Sequence, residues 1–323
     1  MLKFKSMMRA LVLAAAVSGT SLAQAEAQTT VNVGRSQPDN FMFTPIDVGM
    51  ETGIFAKYGL DVVSYNFGGG GRVNEALAAG AIDFGLTAGP SLAAVAKGAP
   101  LIGVSVIQDR PATVVLVVGA DGPKTVQELK GTVIGISTAG SLTDFLMQAL
   151  VEREGWEPGD VELQPLGASS ASAAALRAGQ IDGMVVNFPT AYAFEKQDAG
   201  HILFRFGEML PDFHNHIVMA NSSFVTGNPD ATRAFLAAWF ETVQYMKEHR
   251  DETLEITGRV MGSSPEDTAS IYDELIDTFR LEGSPTEAAL EVIKEQLVSI
   301  GDIPTDTDMM SLMTTEYLPA AGQ

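Results

Sequence analysis

Two periods alternate along most of this chain, and the order in which they alternate is repeated. Residues 30–35 form a short β run, and residues 45–57 carry apolar positions at helical spacing. Residues 60–67 alternate as a strand, 73–79 are helical, and 82–87 form a buried strand. The same succession returns over 132–137, 142–154, 161–166, 172–178 and 181–187. Strands alternating with helices predict parallel sheets covered on both faces.

The repetition extends to the letters. Ala76-Leu77-Ala78-Ala79-Gly80-Ala81-Ile82-Asp83-Phe84-Gly85 returns 99 residues later as Ala175-Leu176-Arg177-Ala178-Gly179-Gln180-Ile181-Asp182-Gly183-Met184. At the same offset Asp61-Val62 matches Asp160-Val161, Gly68 matches Gly167, and Pro90 matches Pro189. An internal duplication is the reading, one α/β unit per copy. Two such units side by side leave a cleft, and ligands of α/β sheets bind outside the carboxyl ends of the strands.

Two further β runs, 113–118 and 216–220, lie outside the repeat. They are expected to be the two crossings between the units, hence a hinge. This gives a first lobe of residues 28–115 with 219–323 and a second of 116–218. The helical patterns over 231–249, 265–279 and 286–300 are expected on the outside of the first lobe.

Residues 1–27 read as an export signal. Lys3, Lys5 and Arg9 precede the apolar stretch 10–17, and Ala23-Gln24-Ala25 or Ala25-Glu26-Ala27 supplies a small-residue cleavage site. With no cysteine in the chain, disulfides and a lipid-modified cysteine are both excluded, which points to a soluble periplasmic protein. Loss of Lys3, Lys5, Arg9 and Glu26 takes the net charge from −20 to −22, a balance unsuited to nucleic acid or an anionic membrane surface.

Residues 51–62 (Glu51-Thr52-Gly53-Ile54-Phe55-Ala56-Lys57-Tyr58-Gly59-Leu60-Asp61-Val62), the 76–85 block and residues 140–163 together resemble one family. It comprises the periplasmic binding proteins for sulfonates, taurine, nitrate and thiamine-precursor pyrimidines, and the resemblance covers roughly residues 31–249. It implies a type II periplasmic-binding-protein-like fold of two doubly wound α/β lobes joined by a two-crossing hinge. It also implies a monomer that delivers a small molecule to the transmembrane subunits of an ABC importer, without a cofactor and without entering the membrane itself.

Carried over by position, the resemblance places the pocket in five loops. In the first lobe they hold Gln37, Asp39, Asn40 and Phe41; Gly69, Gly70 and Arg72; and Thr87, Ala88 and Gly89. In the second they hold Ser137, Thr138, Gly140 and Ser141, then Asn187 and Phe188. Many relatives carry Trp-Asp where this chain has Asn187-Phe188, a departure that removes a negative charge.

The residues themselves add chemistry. Residues 137–143 lie where a strand turns into a helix, which suits an anion site or an ordinary N-cap. Gly68-Gly69-Gly70-Gly71-Arg72 allows close backbone approach and one guanidinium, or is a turn with a solvated arginine. Arg35 and Arg110 are the other candidate cations; Asp39 and Asp109 are candidate acceptors for an amine or a pyrimidine. Phe41, Phe67, Phe188 and Tyr192 fall near the expected cleft, as stacking partners or as core.

Asp83 and Asp182 recur in the repeat and read as structural. His214-Asn215-His216 offers two imidazoles without a third ligand, so strand-edge histidines are expected instead of a metal site. No nucleophile elbow or thiol is present, and catalysis is not expected. The expected ligand is an organic sulfonate or carboxylate held by 137–141 and one arginine, with a neutral pyrimidine or similar heterocycle as the alternative. A pyrimidine-synthesising enzyme of the same fold is the third possibility.

Overall fold

A computed structural model describes residues 28–320 apart from position 211. The expected export signal lies outside the described residues. In chain order the strands are β1 (Thr29–Arg35), β2 (Leu60–Asn66), β3 (Phe84–Ala88), β4 (Leu101–Asp109), β5 (Val114–Gly119), β6 (Val133–Ile136), β7 (Glu162–Pro165), β8 (Gly183–Asn187), β9 (Gly200–Arg205) and β10 (His214–Asn221). They form two five-stranded sheets, β2-β1-β3-β10-β4 and β7-β6-β8-β5-β9. The orders superpose once β10 is matched with β5 and β4 with β9, so the duplication is visible in topology as well as in letters.

The sheets are mixed where the sequence pattern predicts parallel ones. β1, β2 and β3 run parallel, as do β6, β7 and β8, but β10 and β5 are antiparallel to both of their neighbours. β5 lies whole in the second sheet and β10 whole in the first. Neither strand is itself a crossing. The chain passes between sheets just before each of them, from Asp109 to Val114 and from Arg205 to His214. The physical reason is burial: all eight residues of β10 and five of the six of β5 are buried, a demand that only the middle of a sheet meets.

Each copy of the repeated aspartate ties a strand to its neighbour. Asp83 accepts the Asn32 backbone N–H at 2.7 Å, and Asp182 accepts that of Val133 at 2.8 Å. Both are structural, as their positions in the repeat suggest. The helical pattern over 45–57 is realised as two helices, Pro45–Glu51 and Ile54–Lys57, because Gly53 adopts φ 75° between them.

Helix Pro229–Glu248 lays its apolar face on the first sheet, where Phe235 stacks on Phe84 at 4.1 Å and on Phe55 at 5.7 Å. Burying each such ring stabilises the lobe by roughly 2–3 kcal/mol. Two later helices do not stay on the first lobe. From Pro265–Leu275, Asp267 pairs with Lys196 at 2.6 Å and Glu274 accepts from the Tyr192 hydroxyl at 3.3 Å. From Glu287–Ser299, Gln296 and Ser299 both donate to Glu152, at 2.7 and 2.8 Å. All three partners belong to the second lobe, so the C-terminal helices span both. Among the described residues no helix is long and apolar enough to cross a membrane.

Candidate functional site

The carboxyl ends of six parallel strands, three per sheet, face one another across a cleft. The loops there enclose a cavity of about 40 Å³, lined by residues that follow β1 (Ser36, Gln37) and β6 (Ser137) and by the last residues of β3 (Ala88) and β8 (Asn187). Helix starts supply much of the wall. Gly70 opens Gly70–Ala78, Ser141 caps Leu142–Arg153, Ser169 opens Ser169–Arg177, and Asn187 stands at the N-cap of Phe188–Lys196. The positive ends of four helix dipoles therefore point at one small volume.

Three hydroxyls close a triangle on the second lobe. Ser137, Ser141 and Thr143 lie 2.9 to 3.0 Å apart, and Thr143 also accepts the Ser137 backbone N–H at 2.9 Å. Ser141 doubles as the helix cap, accepting from the Asp144 N–H at 3.4 Å. Any one of these hydroxyls can rotate to donate into the cavity while its neighbours remain bonded.

The first lobe contributes amides and an imidazole. Asn40 and His216 are both buried and bonded to each other, Asn40 Nδ2 to His216 Nε2, at 2.9 Å. Burial pushes the His216 ring down to about 4, against a smaller opposite pull from the Thr87 carbonyl, so it is neutral at pH 7. Gln37 reaches across to the Gly167 carbonyl at 3.5 Å, and its Oε1 is buried without a partner.

Of the residues expected at the site, Gln37, Asn40, Gly70, Ala88, Ser137, Ser141 and Asn187 line the cavity. The rest do other work. Asp39 accepts from Thr190 at 3.0 Å and Ser169 at 3.4 Å, two hydroxyls of the opposite lobe. Phe41 is core, against Tyr272 and Phe279; Phe188 is core, stacked on Tyr192 at 5.3 Å. Thr138 accepts from the Gly71 N–H at 3.2 Å, with Gly69 packed beside it. Gly140 donates to Asp144, Thr87 lends its carbonyl to His216, and Gly89 abuts the His214 carbonyl.

None of the three candidate arginines lines the cavity. Arg35 is buried in an ion pair with Asp47. Arg72 lies outside, its guanidinium 3.4 Å from the Phe67 carbonyl. Arg110 adopts φ 49° in the first passage between sheets, and its N–H donates at 2.7 Å to Phe213 in the second. Asp109 is likewise occupied. Burial alone would raise its carboxyl, but His214 at 2.9 Å and Arg280 at 2.8 Å outweigh that and hold it below the usual range. Among the described residues the cavity wall thus has no arginine, lysine or carboxylate.

Leu142 and Thr143 of the 137–143 turn line the cavity as well, and Ser36, Ser91, Ser169, the pair Val185-Val186 and His216 line it from outside the expected set. Ser169 was legible as a further helix-start hydroxyl. His216 was not, because nothing near it in sequence belongs to the site. The two imidazoles of 214–216 share no partner: the pairing of β10 with β4 shifts register between them, and His214 bonds Asp109 and the Thr286 N–H.

Residues 40–253 match the model of the family described as NMT1/THI5 like. A protein of Haemophilus influenzae assigned to thiamine biosynthesis is 29% identical over 212 residues, 64% of this chain and 66% of that protein. The alkanesulfonate-binding protein of Xanthomonas axonopodis pv. citri, solved bound to MOPS, superposes with a TM-score of 0.74 at 18% identity, covering 88% of this chain and 98% of that one. A desulfurization enzyme shares the fold as well, with a TM-score of 0.62 at 14% identity over 90% of this chain and 97% of that one. The fold is that of the periplasmic binding proteins, and the chain belongs to the NMT1/THI5-like family.

Proposed function

We propose that this chain is the periplasmic solute-binding component of an ABC importer and that it takes a small organic anion, a sulfonate or carboxylate, between its lobes. The observation that carries the reading is the convergence of four helix starts and the Ser137–Ser141–Thr143 hydroxyls on a cavity walled without a carboxylate. Neutral donors and aligned dipoles stabilise an anion without a counter-charge. No arginine shares the load, since none lines the cavity among the described residues. Hydroxyl and amide donors on both lobes would favour the closed form once a solute bridges them.

Binding, not catalysis, is the role the wall supports. Its one titratable side chain, His216, has both ring nitrogens engaged by other protein groups, which leaves it no free base or acid function. Gln37 Oε1 favours a second reading within the binding class: a buried acceptor without a partner suits a heterocycle bearing an N–H.

A thermal-shift screen of the chain from residue 28 onward, against alkanesulfonates, carboxylates, nitrate and pyrimidines, separates the readings. A true ligand at a hundredfold excess over its Kd adds about 2.7 kcal/mol of stability. A shift with pyrimidines alone would transfer the site to the heterocycle.

A further inference from the structure

His216 does more on the cavity wall than fill space. The Thr87 carbonyl can only accept, so its 3.2 Å contact with Nδ1 puts the ring proton on Nδ1. Nε2 is then a bare lone pair, and Asn40 Nδ2, 2.9 Å away, donates to it. The other end of the same amide is also fixed, because Asn40 Oδ1 accepts the Met42 N–H at 3.0 Å. With its oxygen on Met42 and one N–H on His216, Asn40 has one N–H left, and Asn40 lines the cavity. Phe43 packs against the imidazole at 4.8 Å and limits its rotation.

We propose that His216 is a positioning residue whose tautomer sets the polarity of the first-lobe wall, holding Asn40 as a hydrogen-bond donor to the solute. The consequence is a choice of solute chemistry. The Asn40 position selects a sulfonyl, carboxylate or carbonyl oxygen and rejects an N–H or ammonium group. A ring protonated on Nε2 would set two donors against each other and turn the amide away. Sequence gives no sign of this, since Asn40 and His216 are 176 residues apart. The inference rests on the solute-binding reading of the cavity, and the two fail separately.

The tautomer is read without any ligand. In 15N-labelled protein at pH 7, long-range 1H–15N correlation of the His216 ring should show a protonated Nδ1 and an unprotonated, hydrogen-bonded Nε2. A protonated Nε2 overturns the proposal whatever the protein binds. Affinity then tests the consequence, with ethanesulfonate and acetate as probes. His216→Leu, which cannot accept from Asn40, should weaken the probe that binds by about tenfold. His216→Gln, whose side-chain oxygen can accept, should recover most of that loss. Equal losses in the two variants, each checked as folded by its unliganded melting, would reduce His216 to packing and overturn the positioning role. If neither probe binds the wild type, the anion reading fails while the tautomer experiment still decides the wall's polarity.

Discussion

Gly69 lies directly against Thr138 of the opposite lobe, so closely that a β-carbon added at Gly69 would stand 2.5 Å from Thr138 Cγ2. The glycine loop, read from sequence as a possible ligand cradle, is in large part a lobe-to-lobe contact. Gly69→Ala should therefore hold the lobes apart, and its φ of 153° adds strain for any side chain. If closure falls to about a tenth of its former population, apparent affinity falls about tenfold. Small-angle scattering should show a larger radius of gyration, and Gly69→Ala combined with Thr138→Gly should recover part of the affinity. An unchanged radius would sink the idea.

Asp39 supplies the matching polar contact, bridging to Thr190 and Ser169. Asp39→Ala should weaken solute binding by severalfold, mainly through faster release, because the contact exists only when the lobes meet. Stopped-flow dissociation measures this directly; a change confined to the association rate would contradict it.

Ser141 serves two ends at once, as the cap of Leu142–Arg153 and as a member of the hydroxyl triangle. Ser141→Ala should cost about 1 kcal/mol of stability from the lost cap. Ser141→Asp keeps a capping oxygen and places a carboxylate on the cavity wall. It should nearly restore the melting temperature yet abolish anion binding. Retained anion affinity in Ser141→Asp would count against the site assignment.

His216 also predicts how stability depends on pH. Its ring titrates at about 4 in the folded chain against 6.5 unfolded, so between those values the unfolded state binds a proton that the native state excludes. Stability should fall as pH drops from 6.5 to 4, by about 3 kcal/mol from this group. Urea unfolding of wild type and His216→Gln at pH 7, 5 and 4 isolates the contribution, since the other titrating groups are shared. Parallel curves would mean that the ring is hydrated.

The paired aspartates differ in a testable way. Asp83 accepts both the backbone and the side-chain N–H of Asn32 at a part-buried site, whereas Asp182 accepts one exposed N–H. Asp83→Ala should lower stability by about 1–3 kcal/mol and Asp182→Ala by less, because only the former buries an unpaired donor. Chemical denaturation of the two variants ranks them.

Much of this was legible before any coordinates. The repeat carried the α/β alternation, the paired aspartates and the helix-start hydroxyls at Ser137 and Ser141, all local signals of period, turn and cap. What was not legible depends on strand order. β4 hides its period behind small and polar residues such as Gly103, Ser105 and Gln108, buried among apolar ones. β10 reaches the middle of the first sheet from far along the chain, and brings His216 with it. The arginines misled because their pairing with Asp47, or their exposure beyond the wall, depends on packing that spacing alone does not encode.

The position of β10 between β3 and β4 has a consequence for how the chain acquires its shape. The first sheet cannot be completed until residue 221 is available, long after its four other strands have been made. β10 separates β3 from β4, and all five strands of the second sheet lie between β4 and β10 in sequence. Such non-local pairing slows folding.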